Sequence, residues 1–387
     1  MAKKEAVLKR VEEIKTDLIE LNDKIGNNPE LGFKEYQAVQ WLTDYLAKNN
    51  FEVKKGIGGL ETAFKAEYKY EKAGPTIAFL CEYDALPNIG HGCGHNMIGV
   101  ISLGAAVALS KIENLKGTIQ VIGCPGEEVG GGKVTLVDRG VFDKVDVAMM
   151  VHPSTENRAY STSLAIDAIK ITYHGQTSHA AASPEKGKNA LDSVIQFFNG
   201  INALREHLKD DVRIHGIISK GGESPNVVPD LAEAKFYFRA REKEYLKEVI
   251  KKAKNIARGA AEMTGCTVEW SKFENSNDNL NPNQILADTY EENLKQVGID
   301  DIAGPEDSFG STDMGNVSQV VPAIHPYIKI GEELTGHTVE FRDATMSEIG
   351  HQALIKAAGA LSLTGYDLLE KQELFTKIQK EFKQENK

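Results

Sequence analysis

The sequence has few cysteines, no long hydrophobic run and a deficit of positive charge. Its four cysteines show no Cys-x-x-Cys spacing, and their density among 387 residues is too low for a disulfide scaffold. The longest strongly apolar run, Met97 to Leu109, is shorter than the roughly 18 residues that a membrane-spanning helix needs. The N-terminal residues lack the apolar stretch of a signal peptide. We therefore expect a cytoplasmic protein that has no membrane partner.

The charge balance is acidic. Lysine and arginine number 45 against 56 aspartates and glutamates, which gives a formal net charge of −11. Because phosphate binding needs a basic face, nucleic acid is not an expected partner. Hydrophobic residues make up 41% of the chain and charged residues 26%, the balance of a globular protein. The length exceeds one ordinary core, which predicts two domains or one domain with an insertion.

The hydrophobic periodicity divides the chain into three parts. Residues 1–167 alternate strand-like apolar runs with helical stretches, which favours an α/β domain with a largely parallel mixed sheet flanked by helices. Residues 168–279 follow the order β-α-β-β-α-β, which is typical of a ferredoxin-like α+β unit. Residues 280–387 resume helix and strand signals and should complete the first sheet. We expect one domain from the two outer parts and an inserted domain at 168–279.

The first helix is predicted from apolar residues that recur three and four positions apart. These are Leu8, Val11, Ile14, Leu18, Leu21 and Ile25. Asn28-Pro29 follows within a turn and should end the helix.

Residues that can bind metal ions follow several of the predicted strands. Cys93 and His95 flank one glycine and could turn toward a single ion, although a glycine-rich turn with a structural histidine fits equally well. Glu127 and Glu128 follow a strand, and a helix N-terminus alone would also explain them. His152 could be a ligand or a capping group. With His337 added, one thiol, three imidazoles and two carboxylates could hold two divalent ions and leave one carboxylate as a base.

Two nucleotide-binding motifs are excluded by the residues at their defining positions. The run Gly130-Gly131-Gly132-Lys133 suggests a phosphate-binding loop, but Glu127 occupies the first glycine position and Val134 replaces the serine or threonine. A dinucleotide motif starting at Gly92 fails because Met97 occupies its third glycine position. A nicotinamide-dependent oxidoreductase is therefore not favoured.

A series of motifs resembles the amidohydrolase branch of the aminoacylase and carboxypeptidase-G-like metallopeptidases. The motifs are EYDALP (82–87), HGCGHN (91–96), CPGEE (124–128), MVHP (150–153), GQTSHA (175–180), GGESPNVVPD (221–230), STDMGN (311–316) and GHT (336–338). They occur in family order over nearly the whole chain. Glu82 and Asn96 stand where many members of the branch have aspartate, and both changes resemble its aminobenzoyl-glutamate hydrolase and β-alanyl dipeptidase side.

The resemblance implies a role for each matching residue. The metal ligands would be Cys93, His95, Glu128, His152 and His337. Glu127 would be the general base, and Asp84 would orient a ligand imidazole from outside the ligand set. On the inserted domain, His179 would stabilise the oxyanion at a neighbouring subunit's site, while Asn226 and Arg239 would hold the substrate's carbonyl and carboxylate. Arg241 competes with Arg239 for the carboxylate, and His91 and His325 receive no role.

These implied roles describe a metal-dependent hydrolase of N-acyl or N-aminoacyl amino acids. Two divalent ions per subunit, manganese or zinc, would activate a water molecule for attack on the amide. The resemblance also implies a homodimer or a higher homo-oligomer, in which residues 168–279 form the lid and dimerisation domain. The alternative is a non-catalytic metal-binding or regulatory scaffold of the same fold, for which the base at Glu127 would be unnecessary.

Overall fold

A computed structural model describes residues 2–307 and 310–385. In chain order, the helices are α1 (Ala2–Glu13), α2 (Lys15–Gly26), α3 (Tyr36–Lys48), α4 (His95–Ser110), α5 (Glu127–Gly130), α6 (Gly132–Asp138), α7 (Ala190–Leu204), α8 (Lys243–Thr264), α9 (Gln284–Gln296), α10 (Met314–Ser318), α11 (Val339–Ala344), α12 (Glu348–Glu370) and α13 (Gln372–Glu385). The strands are β1 (Glu52–Lys55), β2 (Phe64–Lys69), β3 (Lys72–Cys81), β4 (Lys116–Gly123), β5 (Val147–Met149), β6 (His152–Ser154), β7 (Ser161–Thr162), β8 (Ala165–His174), β9 (Arg213–Lys220), β10 (Leu231–Ala240), β11 (Thr267–Lys272), β12 (Glu306–Asp307), β13 (Ala323–Ile324) and β14 (Tyr327–Lys329).

The described residues form two compact units. The first unit contains residues 2–162, 280–307 and 312–385, and the second contains residues 163–279 with 310 and 311. The second unit begins five residues before the boundary expected from the sequence, because β8 already starts at Ala165.

The first unit is built on a six-stranded mixed sheet in the order β1-β2-β4-β3-β5-β13. Strand β3 runs parallel to β4 and β5, and β13 runs parallel to β5, whereas β1, β2 and β4 pair in antiparallel fashion. This confirms the predicted mixed, largely parallel sheet. The carboxyl ends of β3, β4 and β5 consequently meet at one edge of the sheet, where α/β proteins place their sites.

Helix α4 is the centre of the first unit's core. Every residue from His95 to Ser110 is buried, and the helix packs against β3, α12, α1 and α2. Its residues are apolar on all faces, and a helix of this kind is stable only where every face is shielded from solvent. Across residues 2–307 and 310–385, the structure contains no helix with the length and apolarity needed to cross a membrane.

The predicted first helix is two helices in the structure. Ile14 lies between α1 and α2, with φ −103° and ψ 3°, and its N–H bonds to the carbonyl of Val11, three residues back. The apolar stripe nevertheless continues across the break, since Val11, Leu18 and Ile25 are all buried. Burial of that stripe holds both helices on the same core.

The second unit has the predicted ferredoxin-like order. Its four-stranded sheet, β11-β8-β10-β9, is antiparallel throughout, and α7 and α8 pack on it. Strand β10 alternates buried and half-buried residues, as expected for a sheet covered by helices on one face. Strand β9 forms one edge of this sheet, and Ile217 and Ile218 on it are exposed.

Candidate metal centre

Residues of the first unit that were predicted to form a metal site lie at the carboxyl ends of its parallel strands. Asp84 lies just beyond β3, Glu127 and Glu128 lie beyond β4, and His152 follows β5. Parallel neighbours that end together bring residues distant in sequence to the same sheet edge.

The turn that carries Cys93 and His95 enters α4 through a glycine. Gly94 is the N-cap of α4 and has a φ of 78°, which a glycine adopts without strain. A Cβ atom at this position would lie 2.3 Å from Cγ of Pro153, so a larger residue would also push the turn away. The glycine therefore lets Cys93 and His95 approach His152.

All five predicted ligands lie in one cluster. The Cys93 Sγ atom is 3.7 Å from Nε2 of His152 and 3.6 Å from Nε2 of His337. Nε2 of His337 is 3.4 Å from Oε1 of Glu128. Ligand atoms within 4.8 Å of one another form the groups Cys93-His95-His152, Cys93-Glu128-His337 and His95-Glu127-Glu128. Cys93, His95 and Glu128 each belong to two of these groups, so the groups overlap.

Hydrogen bonds fix a proton on Nδ1 of two imidazoles in this cluster. Nδ1 of His152 lies 2.7 Å from the carbonyl oxygen of Pro153, which can only accept, so the proton is on Nδ1 and Nε2 is free to bind a metal ion. Nδ1 of His95 lies 2.9 Å from Oδ1 of Asp84, which accepts in the same way, while its Nε2 lies 3.4 Å from Oε2 of Glu82. Although burial opposes protonation, the Asp84 and Glu82 carboxylates raise the pKa of His95 well above its usual value, so a metal ion would take the place of the proton on Nε2.

The polar atoms and charges of the cluster fit divalent cations. Oε1 of Glu128 is buried and has no hydrogen-bond partner among the described residues. Burial raises the pKa of the Cys93 thiol to about 12. Burial, together with the carboxylates of Asp313 and Glu82, also raises the pKa of Glu127 well above its usual value. A nearby positive charge would favour the ionised forms of Cys93 and Glu127. The thiol, imidazole and carboxylate donors suit zinc or manganese.

Asp84 contacts two parts of the cluster. Besides its bond to His95, its Oδ2 accepts the backbone N–H of Glu128 at 3.0 Å. The side chain is buried and therefore fixes both the imidazole and the glutamate turn.

Sequence reasoning missed a buried ionic network behind Glu127. The Lys133 ammonium donates to Oε1 of Glu82 and, at 2.6 Å, to Oδ1 of Asp313, and all three side chains are buried. Although burial opposes ionisation, the Lys133 charge lowers the pKa of Glu82 to about 2. Lys133 thus neutralises buried acids in place of binding a phosphate. The available sequence signals were Glu82, a departure from the family pattern, and Asp313 within STDMGN.

Two histidines without a predicted role pack near the cluster. His325 is buried, and its ring centroid lies 5.4 Å from that of His152. Burial lowers the pKa of His325 and that of His91 to about 3, so both are neutral. His325 restricts the ring of His152 by contact.

The second unit brings two of its three predicted residues together. His179 forms a β-bridge with Val227, and the carbonyl of Asn226 accepts the N–H of Ala180 at 3.0 Å. Nδ1 of His179 accepts the N–H groups of Ala181 and Ala182, which leaves the proton on Nε2 of an exposed ring. That Nε2–H can donate to an anion.

Arg239 lies elsewhere on the second unit. It is paired with Ile166 at one end of β10, whereas the turns bearing His179 and Asn226 adjoin Leu231 at the other end. Leu231 and Arg239 are eight positions apart in the sequence, which corresponds to roughly 26 Å along a strand. The Arg239 guanidinium donates to Oγ of Ser311 at 3.2 Å.

Comparison with known proteins gives matches over both units. Residues 165–264 match the model of the peptidase dimerisation domain. The chain is 39% identical to the Xaa-Arg dipeptidase of Mus musculus, over 98% of this chain and 92% of the relative. It is 35% identical to one of the subunits of the p-aminobenzoyl-glutamate hydrolase of Escherichia coli, over 75% of this chain and 64% of that one.

A solved structure shares the fold. A Bacillus subtilis protein described as a dinuclear metal-binding peptidase of the M20 family superposes with a TM-score of 0.70 at 21% identity. The match covers 92% of this chain and 99% of that one, so the fold extends over both units.

Proposed function

Because the chain belongs to the M20 family of metallopeptidases, in its amidohydrolase branch, we propose that it hydrolyses N-acyl or N-aminoacyl amino acids at the amide bond. The observation that carries this proposal is the position of Glu127. Its carboxylate lies within 4.8 Å of the ligand atoms of His95 and Glu128, where a base would meet an activated water molecule.

Two of the three overlapping groups would each hold one ion. Cys93, His95 and His152 would hold one ion, and Cys93, Glu128 and His337 the other. Divalent cations bound there would acidify a water molecule and draw electron density from the substrate's carbonyl group. The shared thiolate and the imidazoles favour zinc, while the carboxylates suit manganese, so both metals belong in the test.

Glu127 would move the proton in the reaction. Its carboxylate accepts a proton from the attacking water and returns it to the leaving nitrogen, because an amine departs poorly as an anion. The buried acids Glu82 and Asp313 lie close enough to disfavour ionisation of Glu127, and Lys133 offsets their charge.

The inserted units of two subunits would together complete the site. His179 would donate its Nε2–H to the oxyanion, Asn226 would bind the carbonyl, and Arg239 would pair with the terminal carboxylate. Since roughly 26 Å of strand separates Arg239 from the turns of His179 and Asn226, a small substrate cannot reach all three in one copy of this unit. The proposal therefore requires a homodimer, in which His179 acts on the partner's substrate.

The exposed edge strand supports this assembly. Strand β9 lies at the edge of its sheet with the side chains of Ile217 and Ile218 exposed, which suits pairing with a second copy across a two-fold axis. The dimerisation-domain match covers this strand. A thiolate ligand at Cys93 also favours a reducing compartment, and we therefore propose the cytoplasm as the location.

The first experiment is a substrate panel with each metal. Metal-free enzyme is loaded with manganese or zinc and assayed on N-acyl amino acids, on aminobenzoyl-glutamate and on dipeptides ending in arginine or lysine. The name of the mouse relative places the basic dipeptides first in the panel. Amides of the same acids, which lack the free carboxylate, are the matched controls. Hydrolysis of one class supports the proposal, and absence of hydrolysis over the whole panel contradicts it.

A further inference from the structure

The segment 30–35 packs tightly against the turn that carries Glu127 and Glu128. A Cβ atom on Gly32 would lie 2.3 Å from Cγ2 of Val129, and one on Gly126 would lie 2.7 Å from the ring of Phe33. Phe33 has a φ of 63°, in the left-handed region that non-glycine residues adopt only under constraint. Such a conformation is retained where the surrounding contacts require it.

Glu35 extends from this segment to the same turn. Its side chain is fully buried, and Oε1 accepts the backbone N–H of Gly126 at 2.9 Å. Within the described residues, Oε2 has no hydrogen-bond partner. A buried carboxyl group with one oxygen unsatisfied is costly for stability, and its retention therefore calls for another explanation.

Two carboxylates hold the backbone on either side of Glu127. Glu35 accepts the N–H of Gly126, the residue before it, and Asp84 accepts the N–H of Glu128, the residue after it. Glu127 itself lies between these two anchored peptide groups. A shift of either anchor would rotate the carboxylate of Glu127 away from the ligand cluster.

Helix capping does not account for Glu35. The first N–H groups of α3, at Gln37 and Ala38, are accepted by the side chain of Glu30 at 2.9 Å and 3.0 Å. The side chain of Glu35 points to Gly126 in place of its own helix.

We propose that Glu35 is a positioning residue for the general base, acting through the hydrogen bond from the Gly126 N–H to its Oε1. The inference rests on the proposed function, because it assigns Glu35 a part in placing Glu127. It predicts that kcat depends on an acceptor oxygen at this distance from the Gly126 N–H and does not depend on the negative charge of Glu35.

The test compares Glu35→Gln with Glu35→Asp. Glutamine keeps an acceptor oxygen at the same length but removes the charge, whereas aspartate keeps the charge and withdraws the oxygen by one methylene. We expect Glu35→Gln to stay within about three-fold of the wild-type kcat. Glu35→Asp should lose at least about ten-fold in kcat with KM changed less than two-fold, since misplacement of a base lowers the rate more than binding.

Glu30→Gln is the matched control. Glu30 lies on the same segment and accepts backbone N–H groups, but those groups belong to α3. Its kcat should equal that of the wild type. Metal content and thermal midpoint are measured for every variant, so that a loss of ions or of fold is separated from a loss of positioning.

Hydrogen exchange of the peptide containing Gly126 gives a readout that does not depend on activity. The amide of Gly126 should exchange at least ten-fold faster in Glu35→Asp than in the wild type and in Glu35→Gln. Unchanged exchange in Glu35→Asp, or equal kcat for the two variants, would overturn the positioning role. If the wild type hydrolyses no member of the substrate panel, the proposed function fails instead, whatever the exchange data show.

Discussion

Oδ1 of Asp84 lies 2.9 Å from Nδ1 of His95 and fixes the orientation of that ring. The other carboxylate oxygen of Asp84 accepts the backbone N–H of Glu128, which belongs to the second group of ligands. One side chain thus orients a ligand from each proposed metal site. Both sites should depend on it.

Substitution Asp84→Ala should weaken binding of both ions by about 10- to 100-fold, the usual effect of removing a group that orients a ligand. Competition with a chromophoric chelator measures both affinities. Asp146→Ala is the control, because Asp146 also accepts a backbone N–H, from Thr76, but near the middle of β3 and away from its carboxyl end. Loss of only one ion would contradict the double role of Asp84.

The two adjacent glutamates should differ when each is replaced. Glu127→Gln should retain both ions and lower kcat by at least about 100-fold, because general base catalysis contributes on that scale. Glu128→Gln should lower the affinity for metal, since Glu128 Oε1 lies 3.4 Å from Nε2 of the proposed ligand His337. Metal analysis and steady-state kinetics of the two proteins decide the assignment. The reverse pattern would exchange their roles.

Glu35 gives a pH-dependent stability with a definite sign. Burial raises its pKa from the ordinary 4.5 to about 7; the side chain of Thr62 opposes this rise, and the nearby Asp84 carboxylate adds to it. Between these two pKa values the folded state binds more protons than the unfolded state. The stability that the folded protein gains from keeping Glu35 protonated is therefore lost as the pH rises from 4.5 to 7. The shift corresponds to about 3 kcal/mol at 1.36 kcal/mol per pKa unit.

Glu35→Gln cannot ionise and should therefore be more stable than the wild type at pH 8. The other titratable groups that act on or respond to Glu35 are Asp84, Tyr83 and Tyr36, none of which supplies a positive charge. The stability difference between Glu35→Gln and the wild type should be smaller at pH 5.5 than at pH 8. Urea unfolding of metal-free protein at both pH values measures it, and lower stability of the variant at pH 8 would show that Glu35 is favourably ionised in the fold.

The sequence predicted those parts of the structure that leave a local pattern. The β-α-β-β-α-β order of the second unit was predicted correctly, because the apolar patterns of its strands and helices are visible in the sequence. The break at Ile14 was missed, since no proline or glycine marks it. The start of the second unit differs by five residues from the predicted boundary at residue 168, because β8 already begins at Ala165.

At the metal centre, too, the features with a local sequence pattern were predicted and the contacts between distant residues were not. Thiol, imidazole and paired carboxylates are conspicuous residue types, and the structure brings all five suggested ligands into one cluster. The contact between Lys133 and Asp313 joins residues 180 positions apart, and that between Glu35 and Gly126 joins residues 91 apart. Contacts at such separations depend on the folded chain and leave no local pattern.

The role of His179 in the partner's site can be tested by mixing inactive proteins. His179→Ala and Glu127→Gln should each be inactive as homodimers. After exchange of subunits, a mixed dimer contains one site with both wild-type residues, so activity should return to about a quarter of the wild-type rate per total subunit. Size-exclusion chromatography monitors the exchange. If mixing restores no activity although subunits exchange, His179 acts within its own chain or only caps its turn.

Strand β9 should control the assembly. Replacing the exposed Ile217 with lysine places like charges across a two-fold edge and should produce monomers. Sedimentation velocity gives the mass, and the rate should fall with the dimer fraction. Lys220→Glu at the end of the same strand is a control for surface charge alone, because Lys220 is already polar and exposed. A fully active Ile217→Lys monomer would remove the need for a partner.

Metal titration of the metal-free enzyme tests the central claim most directly. Zinc or manganese is added in steps while bound metal and the rate of amide hydrolysis are measured on the same samples. We expect no hydrolysis without metal, full activity at two bound ions per subunit, and full metal binding without hydrolysis in Glu127→Gln. Hydrolysis that persists in metal-free protein, or an equally active Glu127→Gln enzyme, would contradict the account.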